Sequence, residues 1–261
     1  MTAALAIVKT DYHRKAIFMS QADKPAGARK FEVTCSNCNL RETCLPGGVR
    51  TSDLERVENI VYARRRVRRG ESIFAAGDEF RAVYGIRSGF FKTSLIDDEG
   101  REQVTGFFMG GEILGMDGLG SGRYTGSAIA LEDSEVCVMP FSLVEEMARE
   151  VPSLQRHLHA VLAREIVRDH GVMMLLGSMR AEERLATFLV NLSRRFVRRG
   201  YSASDFHLRM TREEIGSYLG LKLETVSRLF SQFQKDHLIE VNQKHVRILD
   251  IDALEQVLAH K

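Results

Sequence analysis

Hydrophobic and polar residues follow different patterns along the chain, and the first clear pattern predicts short β-strands. Between residues 47 and 140, runs rich in β-branched and aromatic residues, such as AVYGIRSG and FFKTSLI, alternate with turn residues. Thirteen of the 21 glycines lie between Gly70 and Gly126. Short strands with closely spaced turns are typical of a small all-β barrel or roll. We therefore predict a β-roll over residues 47–150.

A long helix is predicted to follow the roll, over residues 151–180. Pro152 suits the first turn of a helix. The apolar residues that then recur at helical spacing are Leu158, Leu162, Ile166, Met173 and Leu176. A helix of this length with a single apolar stripe is not a simple surface element.

A second helix, AEERLATFLVNLSRRFVRR, is predicted to end at Gly200 and to begin a C-terminal domain over residues 181–261. Its last turns contain the four arginines Arg194, Arg195, Arg198 and Arg199. Positive charges complement the C-terminal end of a helix, and we favour this local explanation. A contact with nucleic-acid phosphate is the alternative.

The segment MTREEIGSYLGLKLETVSRLFSQFQK, residues 210–235, predicts a helix-turn-helix. Thr211 and Glu214 form the T-x-x-E pattern of a capping box at a helix start. Gly220 is placed to end that short helix in a left-handed conformation. A second helix begins two or three residues later, and two helices around a tight glycine-containing turn are typical of this motif.

The second helix of the motif has two distinct faces. The residues predicted to be buried are Val226, Leu229, Phe230 and Phe233. The opposite face carries Glu224, Ser227, Arg228 and Ser231. Arginine can bond guanine O6 and N7, glutamate can accept from the cytosine N4 amine, and serine allows close approach. We predict base readout by Glu224, Ser227 and Arg228, since they lie near the helix start that enters the major groove. An ordinary solvated helix face is the alternative.

Two short strands, LIEVN and HVRIL, are predicted to form a wing around a turn at residues 243–244. Lys244 and Arg247 of this wing are predicted to contact DNA phosphates, as are Thr211 and Lys222 of the helix-turn-helix. Such contacts set affinity and register rather than sequence preference. The C-terminal part of the chain is therefore predicted to be a winged helix-turn-helix domain.

Composition and charge restrict the class of protein. The chain has 261 residues, of which 44% are hydrophobic, so it is long enough and apolar enough for two ordinary domains. A net charge of +2 neither requires nor excludes a nucleic-acid partner. No apolar run approaches the length of a membrane span, and the N-terminus lacks a signal-peptide pattern. We expect a cytoplasmic protein without membrane contact, and a flexible arm over residues 1–34.

Four cysteines carry the candidate chemistry. Cys35, Cys38 and Cys44 have the spacing C-x2-C-x5-C, and Cys137 follows 93 residues later. Three clustered thiols and one distant thiol predict a metal site in a reducing compartment, with residues 35–46 as the binding loop. The spacing alone leaves an iron–sulfur cluster and a zinc ion equally open, since four thiolates suit both. An unligated buried thiol is a further alternative for Cys137.

The order of a β-roll, a long helix and a winged helix-turn-helix resembles the CRP–FNR family of bacterial transcription regulators. The cysteine pattern, with Cys137 in SEVCVMP, and the motif ETVSR at residues 224–228 resemble its oxygen-sensing FNR branch. The resemblance implies an α+β fold with a roll like that of cyclic-nucleotide-binding domains. It implies that residues 151–180 form a dimerisation helix. It also implies a homodimer that contacts RNA polymerase and controls anaerobic gene expression.

The same resemblance implies roles for particular residues. Cys35, Cys38, Cys44 and Cys137 match the cysteines that ligate a [4Fe–4S] cluster in FNR proteins. Glu224, Ser227 and Arg228 match the residues that read each half of a TTGAT-like palindrome.

A cyclic-nucleotide sensor is a rival within the family. Residues 111–128, GEILGMDGLGSGRYTGSA, occupy the place of the phosphate-binding cassette, which ends in Arg-Ser-Ala in cyclic-nucleotide binders. The corresponding triplet here is Gly126-Ser127-Ala128, so the arginine that pairs with the phosphate is missing. Arg123 lies three residues off register. The sequence therefore argues against cyclic AMP.

Ile166 and Asp169 are a candidate dimer switch. In a parallel two-helix seam Asp169 meets its twin, and two facing carboxylates repel each other. FNR proteins keep an aspartate here beside an isoleucine that matches Ile166, so the resemblance implies a dimer poised near dissociation. Under this hypothesis an intact cluster favours pairing, and loss of the cluster in oxygen lets the repulsion separate the helices. A solvent-facing aspartate is the alternative.

Two other classes of protein are compatible with part of the sequence. A redox enzyme would need a second cofactor motif, and the sequence contains neither a G-x-G-x-x-G motif nor a P-loop. We therefore expect no enzymatic activity. A zinc-stabilised or CRP-like regulator that responds to another small molecule would keep the DNA-binding residues and lack the oxygen sensor.

Overall fold

Short strands make up most of the first half of the chain in the computed structural model, which describes residues 35–258. In chain order the elements of this half are α1 (Thr51–Glu58), β1 (Ala63–Val67), β2 (Ser72–Phe74), β3 (Ala82–Ser88), β4 (Phe90–Ile96), β5 (Glu102–Met109), β6 (Ile113–Leu114), β7 (Ser127–Ala130), β8 (Ser134–Pro140) and α2 (Phe141–Glu150). The strands form two four-stranded antiparallel sheets, with the orders β1-β8-β3-β6 and β2-β7-β4-β5. The predicted β-roll is confirmed, whereas helix α1 was not predicted. The predicted arm over residues 1–34 lies outside the described residues, as do residues 259–261.

Helices dominate the second half of the chain. Its elements are α3 (Pro152–Ser178), α4 (Ala181–Val197), β9 (Asp205–His207), α5 (Arg212–Leu219), α6 (Leu223–Lys235), β10 (Ile239–Asn242), β11 (His245–Ile248) and α7 (Ile251–Gln256). Helices α5 and α6 are the predicted helix-turn-helix, and Gly220 ends α5 with a φ of 61°. Strands β10 and β11 form the predicted wing, and β9 pairs with β11 as a third strand that was not predicted. The fold is therefore α+β.

The two faces of the sheet that contains β8 have different neighbours. Successive side chains of a strand point to opposite faces. Val136 points into the roll, where it packs with fully buried residues such as Phe91 and Leu114. Met139 points to the outer face and packs with Leu45 and Leu154, which are also fully buried. The outer face is therefore covered by the cysteine-containing loop and by the helices that follow the roll.

Helix α3 is buried at its start and exposed further along. Its 27 residues begin with proline, and Leu154 and Leu158 pack beneath the cysteine-containing loop. Beyond them Ile166 is 56% exposed and Met173 is 61% exposed. Large apolar side chains exposed at helical spacing are typical of a face that another helix covers. No helix in residues 35–258 is long and apolar enough to cross a membrane.

The arginines at the end of α4 connect it to the roll. Arg199 donates to the carbonyl of Arg195 within α4, which agrees with the favoured explanation. That explanation is nevertheless incomplete, because the side chains of Arg195 and Arg199 each form an ion pair of 2.6 Å with Glu112 of the roll. Arg199 donates further to the carbonyl of Gly110. These arginines therefore fix the C-terminal domain against the roll.

A second contact joins the roll to the helix-turn-helix itself. The Lys92 ammonium on β4 lies 3.3 Å from the Glu214 carboxylate on α5. The Ser217 hydroxyl accepts a hydrogen bond of 2.8 Å from the backbone N–H of Val104. Next to this pair the rings of Phe107 and Tyr218 have centroids 5.3 Å apart. Helix α5 is thus packed on strand β5, and it also packs against α6.

Candidate metal centre and nucleic-acid interface

Tight turns bring the first three cysteines together. The backbone N–H of Cys38 donates to the carbonyl of Cys35 at 3.1 Å, which closes the first turn. A short 3-10 helix, Arg41–Thr43, follows, and the N–H of Cys44 donates to the carbonyls of Leu40 and Arg41. The C-x2-C-x5-C spacing therefore corresponds to two consecutive turns on the outer face of the roll.

The fourth cysteine meets the other three at one pocket. Cys137 lies on β8 and, unlike its neighbour Val136, points to the outer face. The described residues that line the pocket are Cys35, Cys38, Leu40, Arg41, Cys44, Pro46, Val61, Gly85, Ile86, Arg87, Cys137 and Met139. All four cysteines are free thiols. The structure thus brings together the four residues that the sequence singled out, across 93 residues of chain.

Gly85 provides the space for this arrangement. It is directly opposite Cys137 in the pairing of β3 with β8. A Cβ atom at Gly85 would lie 3.1 Å from the Cys44 sulfur and 3.9 Å from the Cys137 Cβ. The absence of a side chain therefore lets two thiols approach each other. Sequence reasoning missed this residue, although a glycine inside the apolar run AVYGIRSG indicates a close approach.

Burial favours the protonated form of Cys35, Cys44 and Cys137. Burial, followed by the nearby Cys137, raises the pKa of Cys35 to about 12. Burial also raises the pKa of Cys44 and that of Cys137. Thiolates at these positions would repel one another in an apolar environment. A positively charged metal group would relieve both costs, because coordination deprotonates a thiol.

The donor set fits a group held by four thiolates. Both a [4Fe–4S] cluster and a structural zinc ion are bound in this way. Within residues 35–258, no three Cys, His, Asp or Glu side chains are grouped as the ligands of a single ion. The four thiols instead line the pocket from the loop on one side and the sheet on the other. The residues that would hold such a group are Cys35, Cys38, Cys44 and Cys137.

The cysteine-containing loop contacts both a turn of the roll and the long helix. A Cβ atom at Gly111 would lie 2.0 Å from the Thr43 hydroxyl, so the loop sits directly on the turn between β5 and β6. On the other side, the His157 ring Nε2 lies 3.1 Å from the Cys44 carbonyl. His157 belongs to α3. The loop therefore contacts both the roll and the long helix.

Helix α6 presents the predicted base-reading residues to solvent. Its buried residues are Val226, Leu229, Phe230 and Phe233, as predicted. Glu224, Ser227 and Arg228 are exposed, and all three lie in the first two turns. Lys222 is the N-cap residue and makes no side-chain cap hydrogen bond. The helix start therefore carries exposed polar groups, which is the form that a major groove accepts.

The predicted phosphate-contacting residues surround this helix start. The Thr211 hydroxyl accepts from the backbone N–H of Glu214 at 3.1 Å, which caps α5. Lys244 donates to the carbonyl of Arg209 at 3.0 Å. Arg247 lies 3.5 Å from a Glu240 carboxylate oxygen and is mostly exposed. Their contacts with DNA remain predictions.

The segment in the place of a phosphate-binding cassette contains its own anion. The Asp117 carboxylate accepts hydrogen bonds from the backbone N–H groups of Thr125 and Gly126, at 2.8 and 3.0 Å. The Thr125 hydroxyl donates to the same oxygen. Arg123 instead donates to the carbonyl of Gly77. Two backbone donors of this segment are therefore already bonded to Asp117.

A sensor-type roll, a long helix with an exposed apolar face and a winged helix-turn-helix together define a DNA-binding regulator. Residues 64–150 match the cyclic nucleotide-binding domain family, and residues 183–257 match the Crp-like helix-turn-helix domain family. The chain belongs to the CRP/FNR family of transcription regulators. DNA binding and dimerisation are properties of this family, and the relatives it matches are regulators rather than enzymes.

Individual relatives agree with this assignment. The chain is 46% identical over 227 residues to the transcriptional regulatory protein btr of Bordetella pertussis, covering 87% of this chain and 94% of that one. It is 40% identical over 228 residues to the fumarate and nitrate reduction regulatory protein of Escherichia coli, covering 87% and 91%. Among solved structures, FixK2 from Bradyrhizobium japonicum is similar, with a TM-score of 0.69 and 30% identity, covering 76% of this chain and 98% of that one.

Proposed function

We propose that this protein is an oxygen-responsive transcription regulator that holds a [4Fe–4S] cluster on Cys35, Cys38, Cys44 and Cys137. The observation that carries the proposal is the single pocket lined by all four thiols of the chain. The match to the fumarate and nitrate reduction regulatory protein supports it, since fumarate and nitrate are electron acceptors other than oxygen. When bound, the cluster would supply sensitivity to oxygen.

The role of the protein's own residues follows from their positions. The four thiolates would fasten the loop to strand β8, and the loop in turn rests on Gly111 and on His157 of α3. Loss of these thiolate contacts would loosen both attachments. Loss of the bound group would then change the packing of the long helix. On that helix Ile166 and Asp169 are exposed on the face proposed to form the dimer.

The DNA-binding part of the proposal rests on helix α6. A dimer presents two such helices, and a two-fold protein reads two half-sites about one helical turn apart. We propose that Glu224, Ser227 and Arg228 read each half of a TTGAT-like palindrome. Thr211, Lys222, Lys244 and Arg247 would contact the phosphates, and RNA polymerase would be the partner at the promoter. The regulated genes would be those of anaerobic metabolism.

A cyclic nucleotide is a poorer candidate for the signal, despite the match of the roll to that domain family. The Asp117 carboxylate occupies the backbone donors of Thr125 and Gly126. A second anion there would be repelled, and no arginine stands at the position of Gly126 to attract it.

The test is a metal analysis of protein purified without air, together with DNA binding. About four irons and four acid-labile sulfides per chain are expected, with their loss in air and with tight binding of a TTGAT palindrome only before exposure. Cys137→Ser is expected to lose both properties, and Ser134→Ala on the same strand is the control. One air-stable zinc per chain would contradict the oxygen-sensing proposal and leave the DNA-binding part intact.

A further inference from the structure

Arg64 stands in line with the fourth cysteine. It is directly opposite Cys137 in the pairing of β1 with β8, and Gly85 is directly opposite Cys137 on the other side. Directly paired residues of an antiparallel sheet point to the same face. A guanidinium, a thiol and a glycine gap therefore form one row across the outer face of the sheet. The Cys44 sulfur lies over the gap at Gly85.

The guanidinium of Arg64 has a free hydrogen-bond donor in this position. Its Nε atom is buried and has no hydrogen-bond partner in the part of the chain that the structure describes. Buried donors are almost always paired, and one without a partner points to a group that is not in the structure. The face onto which this side chain projects is the one that carries the four thiols.

The other charges around the pocket do not replace Arg64. Arg41 and Arg87 line the pocket, but each forms an ion pair, Arg41 with Glu42 at 2.8 Å and Arg87 with Glu135 at 3.0 Å. Glu58 approaches the loop from α1, where it accepts from the backbone N–H of Ser36 at 2.7 Å. Arg64 differs from these groups because it is directly opposite Cys137 and its buried Nε has no hydrogen-bond partner within residues 35–258.

We propose that Arg64 is a positioning residue of the thiolate site, which lends its positive charge and its buried Nε–H to the anionic, sulfur-ligated group. The inference rests on the proposed function. Four thiolates give such a group net negative charge, and charge and hydrogen bonds at the sulfur atoms set its reduction potential. Guanidinium remains protonated and forms strong hydrogen bonds with anions. Arg64 therefore makes the bound group easier to reduce and slower to be lost in air.

The experiment compares Arg64→Gln, Arg64→Lys and the control Arg66→Gln in anaerobically prepared full-length protein. Arg66 lies on the same strand, opposite Glu135 rather than a thiol, and is exposed. The measurements are iron and sulfide per chain, the midpoint potential in a dithionite titration, and the rate at which cluster absorbance is lost in air. Thermal unfolding of each metal-free variant reports on the fold.

Arg64→Gln is expected to shift the potential to more negative values and to speed the loss in air several-fold. Arg64→Lys keeps the charge and is expected to restore most of the potential, whereas Arg66→Gln should match the wild type. The inference would be overturned if Arg64→Gln lowered the unfolding temperature but left the midpoint potential and the rate of cluster loss in air unchanged. That result would show a purely structural role. Absence of iron and sulfide from the wild type itself would instead contradict the proposed function.

Discussion

The Thr43 hydroxyl occupies the space that a side chain at Gly111 would need, only 2.0 Å from the Cβ position. The carbonyl of Gly110, which precedes Gly111 in this three-residue turn, accepts a hydrogen bond from Arg199 of α4. The next residue, Glu112, holds Arg195 and Arg199 by ion pairs. A single turn of the roll therefore contacts the cysteine-containing loop on one side and the DNA-binding domain on the other.

Substitution of Gly111 tests the first half of this connection. Gly111→Ala would collide with Thr43, and its φ of 86° adds strain of roughly 1–2 kcal/mol for a residue with a Cβ atom. We expect a lower free energy of unfolding in urea and less iron per chain. Gly100→Ala is the matched control, because Gly100 has a φ of 78° and nothing within 4 Å of the Cβ position. Equal effects of both substitutions on iron content would contradict the role of the turn.

Removal of the Glu112 charge tests the contact between this turn and the DNA-binding domain. The Arg199 side chain is only 4% exposed, so Glu112→Gln would leave a buried cation without its carboxylate. Such a loss typically costs about 3 kcal/mol. We expect a fall of that order in the free energy of unfolding. Glu150→Gln removes a surface ion pair with Arg56 and should cost about 1 kcal/mol or less. A Glu112 effect no larger than this control would contradict the prediction.

The Glu112 carboxylate also makes the stability of the fold depend on pH. Burial by itself would raise the pKa of Glu112, but the charges of Arg195 and Arg199 outweigh it and hold the pKa below its usual value. A lowered pKa means that the stabilisation is complete above the ordinary carboxyl range and is lost as the pH falls through the lowered pKa. The buried Glu165, whose pKa is raised, acts in the opposite direction. We expect stability to fall below about pH 4, and the fall to be smaller in Glu112→Gln.

The base-reading prediction concerns Arg228 on the exposed face of α6. Arg228→Ala is expected to weaken binding of the TTGAT palindrome by about 1–3 kcal/mol and to relax preference at one guanine position. Lys244→Ala should instead weaken binding to all sequences alike and reduce the salt dependence by about one unit. Gln232→Ala, further along α6, is the control. Affinities measured against single-base variants of the site distinguish these outcomes.

The dimer prediction concerns Asp169, which lies between the exposed residues Ile166 and Met173 of α3. Asp169→Ala removes the repulsion between facing carboxylates, so we expect tighter dimers of the metal-free protein and DNA binding in air. Glu182→Ala, an exposed acidic residue on α4, is the control. Sedimentation at several concentrations measures the change. An unchanged dissociation constant would show that Asp169 faces solvent.

Regular elements were predictable because their patterns are local. The period of Val226, Leu229, Phe230 and Phe233 is a property of one helix, and the structure buries all four. The capping box of α5 is likewise contained within four residues. Helix α1 was missed because it is short and its polar residues resemble those of the loops around it.

Long-range pairs were not predictable in the same way. Nothing near Arg195 or Arg199 in sequence indicates that both reach Glu112, which precedes them by more than 80 residues. The meeting of the four cysteines was predictable because thiols are rare and their chemistry limits their use. Gly85 and Arg64 were not singled out, since their importance comes from the register between strands.

Helix α3 begins in one hydrophobic core and ends in another. Leu158 packs beneath the cysteine-containing loop, and Leu175 packs with the core of the DNA-binding domain. At 1.5 Å per residue its 27 residues span about 40 Å. If the helix moves as a rigid body, a tilt of about 5° at its N-terminal end, beneath the cysteine-containing loop, would move its C-terminal end by roughly 3 Å. A displacement of that size is enough to take a recognition helix out of register with the bases it reads.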